Sequence, residues 1–321
     1  METHFADRLC NAVREKKAPV CIGLDPVVDR FPDDLLSKHG IPRSADGNVP
    51  TDTPPKAVSD AILEFGTTLI GAVASFVPAV KINIAFFEPY RAEGVQVYFD
   101  LVKTAHKAGL IVIGDVKRAD IGHSSARYAS AHLGEGDRDP AAADTPDAIT
   151  IKPYFGWDGV KPFIELASKA GRGVFVLVQT SNESAAQVQG LTLSDGAPVC
   201  HRVAQLVQTW ATAENRVGAS GYSCVGAVVS PRDLPSTERI RTLMPNCIFL
   251  VPGFGAQGRT ADEVAKCFRP DGAGAIVTAS RSVMYAYQTS AYRDRFGDDW
   301  GCCIQEACKD FVAAVRNVLP I

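Results

Sequence analysis

Leu110-Ile111-Val112-Ile113-Gly114-Asp115-Val116-Lys117-Arg118-Ala119-Asp120 passes without a break from an apolar, β-branched run into a cluster of alternating charge. A run of this length, apolar on both faces, reads as a strand buried in a parallel sheet. Similar runs recur along the chain, so strands are expected at 18–24, 77–83, 110–115, 147–152, 174–179, 224–230, 247–251 and 273–278. Helical patterns alternate with them at 57–75, 94–108, 124–133, 158–170, 198–216, 232–243, 260–268 and 301–318. Gly109, Gly171 and Gly218 stand where helix C-terminal glycines would. Eight strands alternating with eight helices predict an α/β fold, a single-domain (β/α)8 TIM barrel over residues 1–321. A doubly wound sheet is the alternative, but its usual strand count is about six.

Two connections exceed ordinary loop lengths. Residues 26–56 hold six prolines and several aspartates, and read as an insertion. Residues 181–197 are rich in Ser, Asn, Gln and Gly, and read as a candidate lid.

Composition narrows the function. The chain has 321 residues, 46% of them hydrophobic and 21% charged. With 33 Lys and Arg against 36 Asp and Glu the net charge is -3, so no basic footprint for nucleic acid exists. Apolar stretches such as Cys247–Val251 have strand length, not membrane-span length. Met1–Arg14 lacks the apolar core of a signal peptide. Nine cysteines, an odd number without a C-x-x-C pair, predict reduced thiols in a cytoplasmic protein. The six histidines are scattered, His123 and His132 included, so no metal site is expected. A G-x-S-x-G elbow and a G-x-x-x-x-G-K-S/T loop are absent, and Gly253-Phe254-Gly255 lacks the third glycine of a dinucleotide fingerprint.

In a barrel of this kind the chemistry sits at the C-terminal ends of the strands. Those ends carry Asp25, Lys81 with Asn83, Asp115 with Lys117, Lys152, Thr180 with Ser181, Ser230, Pro252 with Gly253, and Ser280 with Arg281. In extended chain Asp115 and Lys117 project to one side, while Asp120 falls past the strand end. A solvated charge cluster is the competing reading, and it loses ground because the cluster abuts a buried strand. A lysine flanked by carboxylates stays protonated, which suits a proton donor or electrostatic anchor better than a Schiff-base nucleophile. One such pair at about 4 Å contributes roughly 4 kcal/mol at an effective dielectric near 20. Val251-Pro252-Gly253-Phe254-Gly255-Ala256-Gln257-Gly258 follows strand seven, and Ala279-Ser280-Arg281 ends strand eight. Loops in those two places commonly bind phosphate, with glycines admitting the anion to the backbone and arginine gripping it. Phe86, Phe87, Tyr154 and Trp157 near strand ends two and four are expected to pack rather than stack on substrate.

These motifs together resemble orotidine 5'-phosphate decarboxylase, in its longer second type. The resemblance runs from Leu24-Asp25-Pro26 to Ser280-Arg281. It rests on D-x-K-x-x-D-I as Asp115 to Ile121, K-I-N as Lys81-Ile82-Asn83, and P-G-x-G-x-Q as Pro252 to Gln257. It implies decarboxylation of orotidine 5'-monophosphate (OMP) to UMP, without metal or other cofactor. Asp25 and Lys81 would bind ribose, Asp115 would sit beside the departing carboxylate, and Lys117 would protonate C6 of the pyrimidine. Thr180 and Ser181 would face the base, while Gln257 and Arg281 would hold the phosphate with backbone amides near Gly253 and Ser280. It also implies a homodimer in which Asp120 and Ile121 serve the partner's site. Asn83, Ser124 and Pro252 complete the expected substrate contacts. Ser124 stands where threonine is expected, Ala119 replaces a frequent glycine, and Lys152 stands where asparagine is expected. No phosphoribosyltransferase motif is present, which argues against the fused bifunctional form. Rival readings are a magnesium-dependent keto-hexulose-phosphate decarboxylase, a Schiff-base aldolase, and a nucleotide-binding barrel without activity.

Overall fold

Short β-branched runs pair edge to edge until the sheet closes on itself. The computed structural model describes residues 4–134, 144–213, 215–255 and 260–320. Its strands are β1 Val20–Leu24, β2 Ala79–Asn83, β3 Ile111–Arg118, β4 Ala148–Ile151, β5 Gly173–Gln179, β6 Val225–Val229, β7 Phe249–Val251 and β8 Ala275–Ala279. They are parallel and adjacent in chain order, and β8 pairs with β1 to close the barrel. The fold is therefore the (β/α)8 barrel expected from the sequence. Strand limits fall within two residues of expectation, except that β3 continues to Arg118.

The helices are α1 Phe5–Lys16, α2 Asp33–Lys38, α3 Pro55–Val73, α4 Arg91–Lys107, α5 Gly122–Leu133, α6 Trp157–Lys169, α7 Val199–Ala211, α8 Leu234–Leu243, α9 Ala261–Ala265, α10 Arg281–Met284, α11 Ser290–Phe296 and α12 Trp300–Arg316. Among the described residues no helix is long and apolar enough to cross a membrane. None of the nine cysteines is in a disulfide.

Helix α7 stops at Ala211, short of the expected 216, and Gly218 is not a helix terminus. Gly218 serves a close approach instead. A Cβ there would lie 2.5 Å from His4 Nδ1 and 2.6 Å from the Asp7 carboxylate. The neighbouring Ala219 and Ser220 N–H groups donate to Asp7 at 3.0 and 2.7 Å. This docks α1, a helix absent from the sequence expectations, and Phe5 then packs edge-on against Phe175 at 5.9 Å.

The 26–56 connection is folded rather than loose. It contains a 3-10 turn, Val28–Arg30, and α2. Arg43 ties the segment together, donating to Asp33 Oδ1 at 2.6 Å, Phe31 O at 2.7 Å, Gly47 O at 2.8 Å and Asp29 O at 2.9 Å. Phe31 stacks on Phe65 of α3 at 4.4 Å, and Phe65 stacks on Trp300 of α12 at 5.3 Å. Residues 181–197 likewise hold a 3-10 turn, Glu183–Gln187, and a Thr192–Pro198 bridge.

The barrel's opposite face, by the strand N-termini, is held by Asp147. Its carboxylate accepts from Arg8 Nη1 at 2.6 Å and Val112 N at 2.8 Å, and contacts His106 Nε2 at 3.0 Å. Burial alone would raise its carboxyl. The His106 hydrogen bond, the Arg8 charge and the Val112 N–H outweigh burial and hold it down to about 2. A carboxyl lowered on folding contributes stability that is complete above its ordinary pKa and lost as pH falls through the folded value. Asp147→Asn should therefore destabilise the fold by about 2 kcal/mol at neutral pH. Urea midpoints measured down to strongly acidic pH should converge for the two proteins.

Candidate active site

The C-terminal rim opens on a cavity of about 230 Å³. Leu177 of β5, Val228 of β6 and Leu250 of β7 form its apolar floor, and they occupy paired register positions. The charged wall comes from β1, β2 and β3. Lys81 and Asn83 share a face because strand side chains alternate, and Asn83 pairs in register with Asp115.

Asp115 is the centre of that wall. Its Oδ2 meets Lys81 Nζ at 2.8 Å and its Oδ1 meets Lys117 Nζ at 2.6 Å. Thr150 Oγ1 of β4 donates to the same Oδ1 at 2.8 Å and accepts from Lys117 N at 3.0 Å. Lys81 lies 3.7 Å from Asp25, whose buried Oδ1 has no hydrogen-bond donor among the described residues. Burial would raise the Asp115 carboxyl, but the charges of Lys81 and Lys117 hold it well below the usual carboxylate range. Burial would lower the Lys81 ammonium, but Asp115 and Asp25 push it above its ordinary value. Lys81 and Asp115 are thus ionised across neutral pH, in a place where unpaired charge would be costly.

Asp115 and Lys117 meet as expected, but not by sharing one face of an extended strand. Pairing between β3 and β4 shifts register between Gly114 and Arg118, and Lys117 takes a left-handed φ of 43°. That conformation costs a non-glycine residue about 1–3 kcal/mol and recurs at functional sites. Here it turns the Lys117 ammonium back onto Asp115, leaving the side chain 43% exposed over the cavity.

The far wall holds Pro252, Gly253 and Phe254 after β7, and Ser280 and Arg281 after β8. Gly253 has φ 101°, which glycine adopts readily. Gln257 lies outside the described residues. Thr180 and Ser181 line a third side. The structure therefore brings together Asp25, Lys81, Asn83, Asp115, Lys117, Thr180, Ser181, Pro252, Gly253, Ser280 and Arg281, as the sequence reading requires.

Other expected residues stand apart. Asp120, Ile121 and Ser124 do not line this cavity; Ile121 and Ser124 are exposed at the start of α5. Lys152 is exposed and Ser230 is buried, both outside the cavity lining, so the contact from β4 comes from Thr150 instead. Tyr154, expected to pack, is 84% exposed on the turn after β4, whereas Phe87 packs edge-on against Tyr98 at 5.8 Å. Thr150 and Thr278 were not foreseen, because a threonine inside an apolar run reads as strand filler. Thr278 lines the cavity, and its buried Oγ1 has no well-formed hydrogen bond among the described residues. Among the described residues no three His, Cys, Asp or Glu side chains gather as metal ligands would.

A closed parallel barrel with its charged groups gathered on the C-terminal rim defines an enzyme of the (β/α)8 class. Within that class, the chain belongs to the orotidine 5'-phosphate decarboxylase / HUMPS family, which matches residues 20–294. It is 38% identical over 290 residues to the orotidine 5'-phosphate decarboxylase of Rhodopirellula baltica, covering 90% of each chain. It is 35% identical over 303 residues to that of Caldicellulosiruptor saccharolyticus, covering 91% of this chain and 92% of the relative. The structure of Leishmania donovani OMP decarboxylase superposes with a TM-score of 0.68 at 25% identity, over 98% of each chain.

Proposed function

We propose that the protein decarboxylates OMP to UMP with release of CO2, the last step of de novo pyrimidine synthesis. The observation that carries this reading is the Lys81–Asp115–Lys117 array, with Lys117 and Asp115 2.6 Å apart at the cavity wall. The C6–carboxylate bond breaks, its electron pair stays on C6, and the Lys117 ammonium delivers the proton that makes the C6–H bond. That carbanion is poorly delocalised, so the enzyme must supply the upper end of the roughly 8–23 kcal/mol by which enzymes lower barriers. Charge fixed before reaction supplies it without reorganisation. Asp115 sits beside the departing carboxylate, and Asp25 with Lys81 binds ribose. Arg281, Ser280 and the Gly253 backbone, with Gln257, take the phosphate. Its binding energy, released far from C6, orients the base. The residues named need no metal or organic cofactor.

The reading includes a cytoplasmic homodimer in which Asp120 and Ile121 complete the partner's site. Ile121 is 56% exposed, and Ser125 Oγ of α5 donates to Gly159 O in the first turn of α6 at 2.8 Å, just after exposed Tyr154 and Phe155. Mixed Lys117→Ala and Asp120→Ala subunits should then recover roughly a quarter of wild-type activity, since half the dimers are mixed and each holds one intact site. No recovery after demonstrated subunit exchange contradicts sharing.

The test of the reaction is CO2 release from carboxyl-labelled OMP in EDTA. Release is expected at full rate. Dependence on added magnesium, with a keto-hexulose phosphate consumed instead, would replace this reading with the rival decarboxylase.

A further inference from the structure

Asp115, Val116 and Lys117 of β3 stand opposite a single residue of β4. Pairing joins Gly114 to Ile149 and resumes with Arg118 and Ile151, so Thr150 alone faces the three. A bulge of this kind takes backbone groups off the ladder and re-aims side chains. Thr150 is 1% exposed and lines the same cavity as Asp115 and Lys117.

The direction of its bonds is forced. A backbone N–H can only donate and a carboxylate can only accept. The Thr150 hydroxyl therefore accepts from Lys117 N at 3.0 Å and gives its own proton to Asp115 Oδ1 at 2.8 Å. Lys117 Nζ donates to that same oxygen at 2.6 Å. The three bonds close a ring that holds Lys117 at both ends, the main chain through Thr150 and the ammonium through Asp115. Asp115 by itself does not fix the main chain, because a flexible four-carbon stem lies between. The left-handed φ of 43° at Lys117 persists only where its surroundings over-determine it. The Thr150 hydroxyl supplies that second constraint, and it adds no charge to the array.

We propose that Thr150 is a positioning residue for the reaction: its hydroxyl locks the β3 bulge from which the Lys117 ammonium is presented to C6. This rests on the OMP reading above. Without the hydroxyl the Lys117 main chain relaxes out of the left-handed region, and the proton donor is misplaced while the binding walls stay intact.

The test is steady-state OMP turnover beside calorimetric UMP binding for wild type, Thr150→Val and Thr150→Ser. Valine keeps the shape and removes both bonds; serine keeps the hydroxyl. Thr150→Val should lose about 10²-fold in kcat, the size expected of an ångström-scale misplacement, with KM and UMP affinity little changed. Thr150→Ser should recover most of that loss. A merely structural role would lower kcat and UMP affinity together and would not follow the hydroxyl. If Thr150→Val fails to fold, Thr150→Ala beside Thr150→Ser carries the comparison. Wild-type kcat in Thr150→Val, equal kcat losses in the valine and serine variants, or a loss confined to UMP affinity overturns the proposal. A wild-type protein that neither turns over OMP nor binds UMP overturns the nucleotide reading, and this assignment with it.

Discussion

Lys117→Ala is expected to lower kcat by about 10⁴-fold or more, while UMP affinity changes by less than roughly tenfold. On the proposed mechanism the size follows from two losses at one atom: the proton donor for C6 and a positive charge placed for the developing carbanion. The asymmetry follows from geometry. Lys117 is 43% exposed, so truncation leaves no core cavity, and Asp115 keeps Lys81 at 2.8 Å and Thr150 at 2.8 Å. The walls on β5, β7 and β8, to which the proposal assigns base and phosphate, do not depend on it. Isothermal titration with UMP and a turnover assay separate the two effects. Substantial turnover in the variant would remove the proton-donor assignment.

Asp115→Asn should damage the fold as well as the reaction. The substitution leaves Lys81 with only Asp25 at 3.7 Å and leaves Lys117 without its carboxylate. Uncovering a buried charge in this way costs about 3–5 kcal/mol. Asp115 has its pKa lowered on folding, so its stabilisation is complete above the ordinary carboxylate value and fades only as pH falls through the folded one. Lys81 has its pKa raised, so its contribution is complete below the ordinary lysine value and fades as pH rises through the folded one. The gap between wild type and variant should therefore be flat from about pH 5 to about pH 9. Urea midpoints across that range measure it. Equal midpoints would contradict the array as a coupled charge unit.

Most of this site was legible because the barrel places the last residues of each strand on one rim. A run such as Leu110–Gly114 can only be buried, so the charge that follows marks where the chain leaves the core. Asp25, Lys81, Asp115, Arg281 and their neighbours were reached by that argument alone, and the family motifs gave them roles. What stayed hidden depends on contacts between strands. Thr150 reaches Asp115 through a register shift that no single strand encodes. Helix α1 and Gly218 explain each other only when both are in place, and Arg43 organises 26–56 through backbone carbonyls that composition does not reveal. Asp120 and Ile121, which the family resemblance assigns to a partner's site, and Ser124 lie off this cavity.

We propose that the Asp115–Lys117 pair carries out loss of CO2 from OMP without a metal. Ultraviolet absorbance of OMP with purified protein in EDTA, followed beside Lys117→Ala, tests it most directly. Conversion to UMP is expected with the wild type and none detectable with the variant. Bound but unconverted nucleotide with the wild type, or equal conversion by both proteins, would contradict it.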